Sequence, residues 1–331
     1  MSTLERRTFL AFAAALACSR LPQARADSRG ATVGVIMGLA NDSETQARSG
    51  AFEEGMRRDG WIPGQNLRLV YRFANADREL MKSYARELVA MNCDCIVGHS
   101  TPVAAALQAT TKTIPIVFVS VSDPIGSGFV ANMAHPGGNM TGFTVLQATI
   151  TGKYLSMLMQ LDPKISRVAL MYNPDSVPGS GEFFMPAFRD SAATFKVEPI
   201  DAAVRNEGDI ENAMTNLGAR SGAALITVPD NFLSLHRDLI VVLAAKYSIP
   251  AIYPYRYFAE AGGLMSYGVD AVDLFERSTD YVSRILRGAK PADLPVQGPT
   301  KFEMVINIKT ARTLGLTVPR FLLVGADAVV D

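Results

Sequence analysis

Apolar positions along this chain change their spacing at regular intervals, and the changes divide it into alternating strands and helices. Residues 33–37 form a short apolar run, 43–60 take helical spacing, and 67–73 alternate as a half-buried strand does. Between 77 and 91, Leu80, Tyr84 and Leu88 fall on one stripe beside Met81, Ala85 and Val89, the spacing of an amphipathic helix. A strand over 95–98, a helix over 102–110 and a strand over 114–121 complete a βαβαβαβ run. Such alternation implies a parallel sheet with helices on both faces.

After a Gly/Asn/Pro stretch at 135–142 the pattern restarts. Strands are expected over 167–172, 197–201, 223–228 and 249–253, and helices over 152–161, 182–195, 209–217 and 232–246. The tail reads as a helix over 273–286 opened by an Asp273-x-x-Glu276 capping signal, then Pro-rich turns, then a strand near 303–308. Two α/β units of like size therefore share the chain, with no sequence repeat between them. A tail that supplies pieces to both would make each unit discontinuous.

The strand ends carry the chemistry. The run Ile114-Pro-Ile-Val-Phe-Val-Ser-Val121 reads as a strand buried on both faces, and it stops at Ser122-Asp123-Pro124. Similar polar ends follow at Ser100-Thr101-Pro102, Tyr172-Asn173-Pro174 and Pro229-Asp230-Asn231. In open α/β sheets ligands bind outside the carboxyl ends of strands, where helix amino termini present free N–H groups. Each such residue is also an ordinary helix cap. If the two units face each other, Ser100 and Thr101 would bind a carboxylate and Asp230 an ammonium group. Tyr253, Tyr255 and Tyr267 would supply flat apolar walls, a role that competes with core packing for each.

The amino terminus reads as an export address. Arg6-Arg7 form a twin-arginine start, residues 8–17 are apolar, and Ala24-Arg-Ala26 is a cleavage site that would leave Asp27 first. The apolar part is too short for a bilayer span of about 20 residues. Leu16-Ala17-Cys18 offers a competing lipid-anchoring site, less well formed because Ala15 stands where Leu is usual. Twin arginines favour the Tat over the Sec route. Removing residues 1–26 takes four Arg and one Glu, leaving 28 basic against 31 acidic residues, with no basic run to mark a nucleic-acid or anionic-membrane partner. Of three cysteines, Cys93 and Cys95 remain; two apart on a strand they point to opposite faces, which speaks against a bridge and for two small apolar residues.

Two enzyme motifs are tested against their contexts. Gly126-Ser-Gly-Phe-Val-Ala131 fits a dinucleotide signature, but no Asp or Glu occurs from 124 to 161 to hold a ribose. Gly98-His-Ser100-Thr-Pro102 resembles a nucleophile elbow with Pro102 in place of the final Gly. Its candidate base His236 falls inside the expected 232–246 helix, and His135 precedes Asp230 in the wrong order. A hydrolase using Ser100 stays as the alternative, as does a ligand-sensing module serving a receptor.

Several segments in order resemble the solute-binding proteins of ABC transporters, in particular the tryptophan and tyrosine importer components. They include Ala51-Phe-x-x-Gly-Met-Arg, Gly60-Trp-x-x-Gly-Gln-Asn, Asp123-Pro-Ile-Gly, Pro136-Gly-Gly-Asn-x-Thr-Gly, Ala261-Gly-Gly-Leu-Met-Ser-Tyr-Gly and Pro299-Thr-Lys-Phe-Glu. The resemblance implies an α/β fold of two doubly wound parallel-sheet lobes joined by a hinge, the type I periplasmic-binding-protein arrangement. On that pattern residues 27–143 plus 266–291 form the amino-terminal lobe and 144–265 plus 292–331 the other, with crossings near Gly142, Gly263 and Pro291. It implies a periplasmic, monomeric protein with no catalytic residues, cofactor or metal. Its expected partners are an amino acid or small, possibly aromatic, carboxylate and an ABC permease–ATPase complex. The pocket would draw on Asn41, Asp42, Ser100, Thr101, Ser122, Asp123, Asn173, Asp230, Tyr253 and Tyr255, to which the residue reading above adds Tyr267. Asn41-Asp42 replaces the small Ser/Pro residues more usual at that loop.

Overall fold

The computed structural model describes residues 30–145 and 147–331, so the expected export segment lies outside the described residues. The first unit runs β1 (Ala31–Met37), α1 (Ser43–Arg58), β2 (Leu67–Phe73), α2 (Arg78–Ala90), β3 (Cys95–His99), α3 (Thr101–Thr110), β4 (Ile116–Val121) and β5 (Met140–Thr144). Its strands form a parallel sheet in the order β2-β1-β3-β4-β5. The period of two along each strand decides what each face buries. Val33, Val35 and Met37 join Phe52 and Met56 of α1 on one side, while Ile36 joins Met81, Leu88 and Leu107 of α2 and α3 on the other. Cys93 and Cys95 are both free and buried, and they fall into these two different clusters.

The second unit runs α4 (Ile150–Leu161), β6 (Arg167–Tyr172), α5 (Met185–Phe195), β7 (Glu198–Ala203), α6 (Glu207–Gly218), β8 (Ala223–Thr227), α7 (Asn231–Leu235), α8 (Arg237–Lys246), β9 (Ala251–Tyr253), α9 (Arg256–Glu260) and β10 (Met265–Val269). The chain then returns to the first unit as α10 (Ala271–Leu286), which packs on α1, and ends with β11 (Phe302–Asn307), α11 (Ile308–Thr313), α12 (Arg320–Gly325) and β12 (Ala328–Val330) in the second. The second sheet has the order β12-β11-β10-β9-β8-β6-β7, with only β11 antiparallel to its neighbour β10. In each sheet the strand order reverses once: between β1 and β3, and between β6 and β8. These reversals are the topological switch points where such sheets open a crevice.

Three passages join the lobes: between Thr144 and Ile150, between Val269 and Ala271, and between Gln297 and Phe302. They lie side by side. The Thr144 N–H donates to the Gln297 carbonyl at 2.9 Å, the Asp270 N–H donates to the Lys301 carbonyl at 3.2 Å, and Lys301 Nζ sits 2.6 Å from the Asp270 carboxylate. Two crossings fall later in the chain than the resemblance implied. Residues 266–269 belong to β10 in the second sheet, because Met265 and Ser266 pair with Ile252 and Tyr253. Residues 292–297 stay with the first lobe, because the Val296 and Gln297 N–H groups donate to the Met133 and Gly142 carbonyls.

Local differences have local causes. Helix α10 opens at Asp270, whose carboxylate accepts from the Val272 and Asp273 N–H groups, so Asp273 is an interior residue and not the cap. The expected helix over 232–246 breaks at His236, whose φ/ψ of −97°/19° separates α7 from α8. Strands β5 and β10 contain Gly142 and Gly268, which hid them from a search for Val- and Ile-rich runs. Gly142 is required where it stands, since a Cβ there would lie 1.9 Å from the Phe118 carbonyl oxygen.

Candidate functional site

The carboxyl ends of the two switch points face each other. On the first lobe these are Gly38-Leu39 after β1 and Ser100 after β3; on the second, Asn173 after β6 and Pro229-Asp230-Asn231 after β8. The cavity between them is lined by Leu39, Arg48, His99, Ser100, Ser120 and Ser122 from one side and by Ser176, Pro178, Asp230, Ser234, Tyr255 and Tyr257 from the other, among others. Its volume is about 20 Å³, room for about one water. The lobes are thus closed on one another. Asn231 Nδ2 donates to Ser100 Oγ across the gap at 2.8 Å, and Arg237 Nη1 lies 3.4 Å from Asp42 Oδ2.

The first-lobe wall is strained. Ser100 adopts φ 86° and ψ 159°, a region that side chains other than Gly's rarely enter. Its hydroxyl makes no bond to the first turn of α3 and is left to accept from Asn231. Ser120 has φ 61° at a shift of register between β4 and β5, and its buried hydroxyl has no partner. A bulge of this kind re-aims side chains at a sheet's end. Thr101 Oγ1 accepts from the Ser122 N–H at 3.3 Å, tying the two strand ends together.

Behind them stands a buried cation. Arg48 is 1% exposed; its Nη1 lies 3.3 Å from His99 Nε2, and its guanidinium carbon is 5.8 Å from the ring centres of both Tyr255 and Tyr257. Burial first, and the Arg48 charge second, hold the His99 imidazole well below its ordinary range, so it is neutral. A guanidinium has only donors, so His99 Nε2 is the acceptor and Nδ1 carries the hydrogen.

The second-lobe wall is satisfied. Asp230 Oδ1 accepts from the Phe232 and Leu233 N–H groups at 2.7 and 3.2 Å, and Oδ2 from the Asn173 N–H and Ser176 Oγ at 2.8 and 2.7 Å. Two donors on each oxygen fill the carboxylate's four positions. Burial raises the Asp230 carboxyl from its usual range, against the pull of these bonds. Tyr257 and Ser234 hydroxyls bond at 2.9 Å, and Tyr255 and Tyr257 stack at 5.3 Å.

Of the residues expected from the sequence, Ser100, Thr101, Ser122, Asp230 and Tyr255 line this cavity. Asp230 is there as a saturated cap, which removes the ammonium-holding role read from its sequence position. Asn173 contributes its backbone N–H to Asp230 and turns its side chain to the Asp175 N–H. Asp42 caps α1 and meets Arg237 at an adjoining rim crevice, and Asn41 is exposed beside it. Asp123 closes its own turn by accepting from the Gly126 N–H at 2.8 Å. Tyr253 is fully buried and stacks on Phe258, and Tyr267 stacks on Phe302 under Lys153, so neither is a cleft wall. Sequence reasoning missed Arg48, His99, Ser120, Ser176, Asn231, Ser234 and Tyr257. Only His99 and Asn231 had a signal, as neighbours of capped strand ends; Arg48 looked like any helical surface cation.

Two doubly wound lobes that close switch point on switch point around a small polar cavity define a two-lobed solute-binding protein. The chain belongs to the ABC transporter substrate binding protein family, whose sequence pattern matches residues 32–330. It is 24% identical over 284 residues, 86% of this chain and 81% of the relative, to a tyrosine-binding protein of Clostridioides difficile. Among solved structures it resembles a conserved domain protein from Vibrio cholerae (TM-score 0.84, 28% identity, 91% of this chain and 100% of that one). It also resembles a Streptococcus pneumoniae ABC domain in complex with L-Trp (TM-score 0.83, 25% identity, 91% and 100%). This protein is therefore an ABC transporter substrate-binding protein, and its family works outside the cytoplasm with ABC transporter components.

Proposed function

We propose that the protein takes a small carboxylate-bearing molecule, an amino acid or an organic acid, between its lobes and presents the closed form to an ABC permease and its ATPase. The chain acts as an exported monomer whose signal is cleaved after Ala26, with lobes 30–145 plus 270–298 and 150–269 plus 299–331 moving about the three passages. The observation that carries this reading is the cavity at the two facing switch points, with Arg48, Ser100 and Ser120 on one wall and the Tyr255–Tyr257 stack on the other. The tyrosine-binding relative and the tryptophan-bound structure support a carboxylate with an apolar or aromatic body. A ligand touching both walls favours closed over open and so drives closure. No covalent step is needed. Ser100 accepts from Asn231 and has no base on its hydroxyl, which disfavours the hydrolase alternative.

The test is a thermal-shift screen of the mature protein against amino acids and small aliphatic and aromatic acids. A true ligand at 100 times its Kd stabilises the protein by about 2.7 kcal/mol, which is a shift of several degrees. A panel in which every compound leaves the midpoint unchanged would overturn this ligand class.

A further inference from the structure

The hydrogen-bonding groups of the cleft are unevenly satisfied, and, resting on the solute-binding reading above, the unevenness narrows the ligand. Arg48 is buried, its Nε has no partner, and among the described residues no carboxylate oxygen lies within 4.0 Å of its guanidinium. Its polar contact, His99, is neutral and cannot act as a counter-ion. Every nearby acid is otherwise engaged or set apart. Asp230 is filled by four donors, Asp42 caps α1 and meets Arg237, and Glu260 and Glu303 both meet Arg256. Glu44, one turn before Arg48, is half-buried and does not line the cavity; burial raises its carboxyl, and the Arg48 charge opposes that rise.

A buried, unpaired cation is costly and calls for an anion. A zwitterionic amino acid would bring one, but it would also bring an ammonium, and Asp230, the acid that lines the cavity, has no free oxygen position to receive it. We infer that the ligand is an organic monoanion without an α-ammonium group: a carboxylic acid whose carboxylate forks onto Arg48 and whose apolar body lies against Tyr255 and Tyr257. Arg48 Nη1 is held by His99 and Nε has no partner, so the Nε edge of the guanidinium is the one left to meet a carboxylate, whose two oxygens match its planar donors. The hydroxyls of Ser100 and Ser120 complete the anion's shell. Asn231 gives up its bond to Ser100 as the ligand enters.

Matched pairs that differ only in the ammonium group test this: propanoate with L-alanine, 4-methylpentanoate with L-leucine, 3-phenylpropanoate with L-phenylalanine, 3-(4-hydroxyphenyl)propanoate with L-tyrosine, and indole-3-propanoate with L-tryptophan. Titration calorimetry on the mature protein is expected to show at least one acid binding about tenfold or more tightly than its amino acid. Arg48→Met should abolish that binding while melting no lower than wild type, because it removes an unpaired buried charge. Arg48→Lys, which keeps the charge and loses the fork, should fall between. An amino acid that binds as tightly as its acid would overturn the inference and leave the solute-binding reading standing. Silence from every acid and every amino acid would instead overturn the ligand class on which both rest. Acid binding unchanged in both Arg48 variants would also overturn the inference, since another group would then hold the anion.

Discussion

The two walls of the cleft are built from the same grammar, a buried strand ending in a cap residue, yet they spend that residue differently. On the second lobe the cap is consumed: Asp230 takes a conventional extended backbone, φ −155° and ψ 131°, and gives all its acceptor capacity to the protein. On the first lobe the cap is withheld: Ser100 sits at φ 86°, bonds nothing in its own helix, and meets the other lobe instead. The difference separates a scaffold from a recognition surface. Strain and unpaired donors gather on the first wall, the one to which the proposed function assigns ligand binding, while the second wall's polar groups are satisfied within their own lobe.

The contrast is most directly broken at Asp230. Replacing it with Ala strands four donors, two of them in fully buried bonds, and urea denaturation is expected to show a loss of about 4 kcal/mol; a loss no greater than that of Ser100→Ala would erase the distinction between the walls. The next effect is steric. Gly38 has ordinary backbone angles, but a Cβ there would lie 2.1 Å from Asn231 Nδ2 and 2.7 Å from Ser100 Oγ. Gly38→Ala should penalise the closed form by about 1–3 kcal/mol, the usual range for overpacking. Small-angle scattering should then report a larger radius of gyration, with each lobe's melting little changed.

Acid should act on the first wall. Held neutral by burial and by Arg48, His99 takes its proton at lower pH in the folded chain than its ordinary 6.5 in the unfolded one. The unfolded state therefore binds more protons, and stability is lost as pH falls below about 6.5, by up to about 1.4 kcal/mol per unit. His236, also lowered by burial with Glu207 opposing, adds to the same slope, while Asp230, raised, acts in the opposite sense at lower pH. The test is the difference between wild type and His99→Gln from pH 7.5 to 5.5; identical slopes would remove His99 from the account. The smallest effect is the sharpest check on strain. Ser100→Gly should be more stable than Ser100→Ala by about 1 kcal/mol, reversing the usual order, because only Gly relaxes at this φ. Calorimetric melting of both variants decides it.

Strands and helices of both lobes were legible wherever apolar spacing was strong, as at β3, β4 and α2, and the resemblance supplied their two-lobe arrangement. Legibility failed where a short strand carried glycine, as in β5 and β10, and the crossing that the resemblance implied near Gly263 lies beyond β10 for that reason. Within the cleft, Ser100, Thr101, Ser122 and Asp230 were readable because they stand at the carboxyl ends of buried strands, where open α/β sheets place their ligands. Tyr253 and Tyr267 misled because an aromatic residue fits a core as well as a wall. Arg48 was invisible: its burial comes from Tyr255 and Tyr257, which stand more than 200 residues away in the chain.

The sequence by itself determined the local alternation of elements and the kinds of residue placed at strand ends, because backbone pairing and side-chain periodicity act over a few residues. Only the tertiary structure decided which of those residues are free to bind. Ser100 and Asn231 meet across 131 positions, and Asp230 and the Asn173 N–H across 57. A donor's partner is a matter of distance in space, set within a lobe by how its sheet brings strand ends together and between lobes by how the two meet.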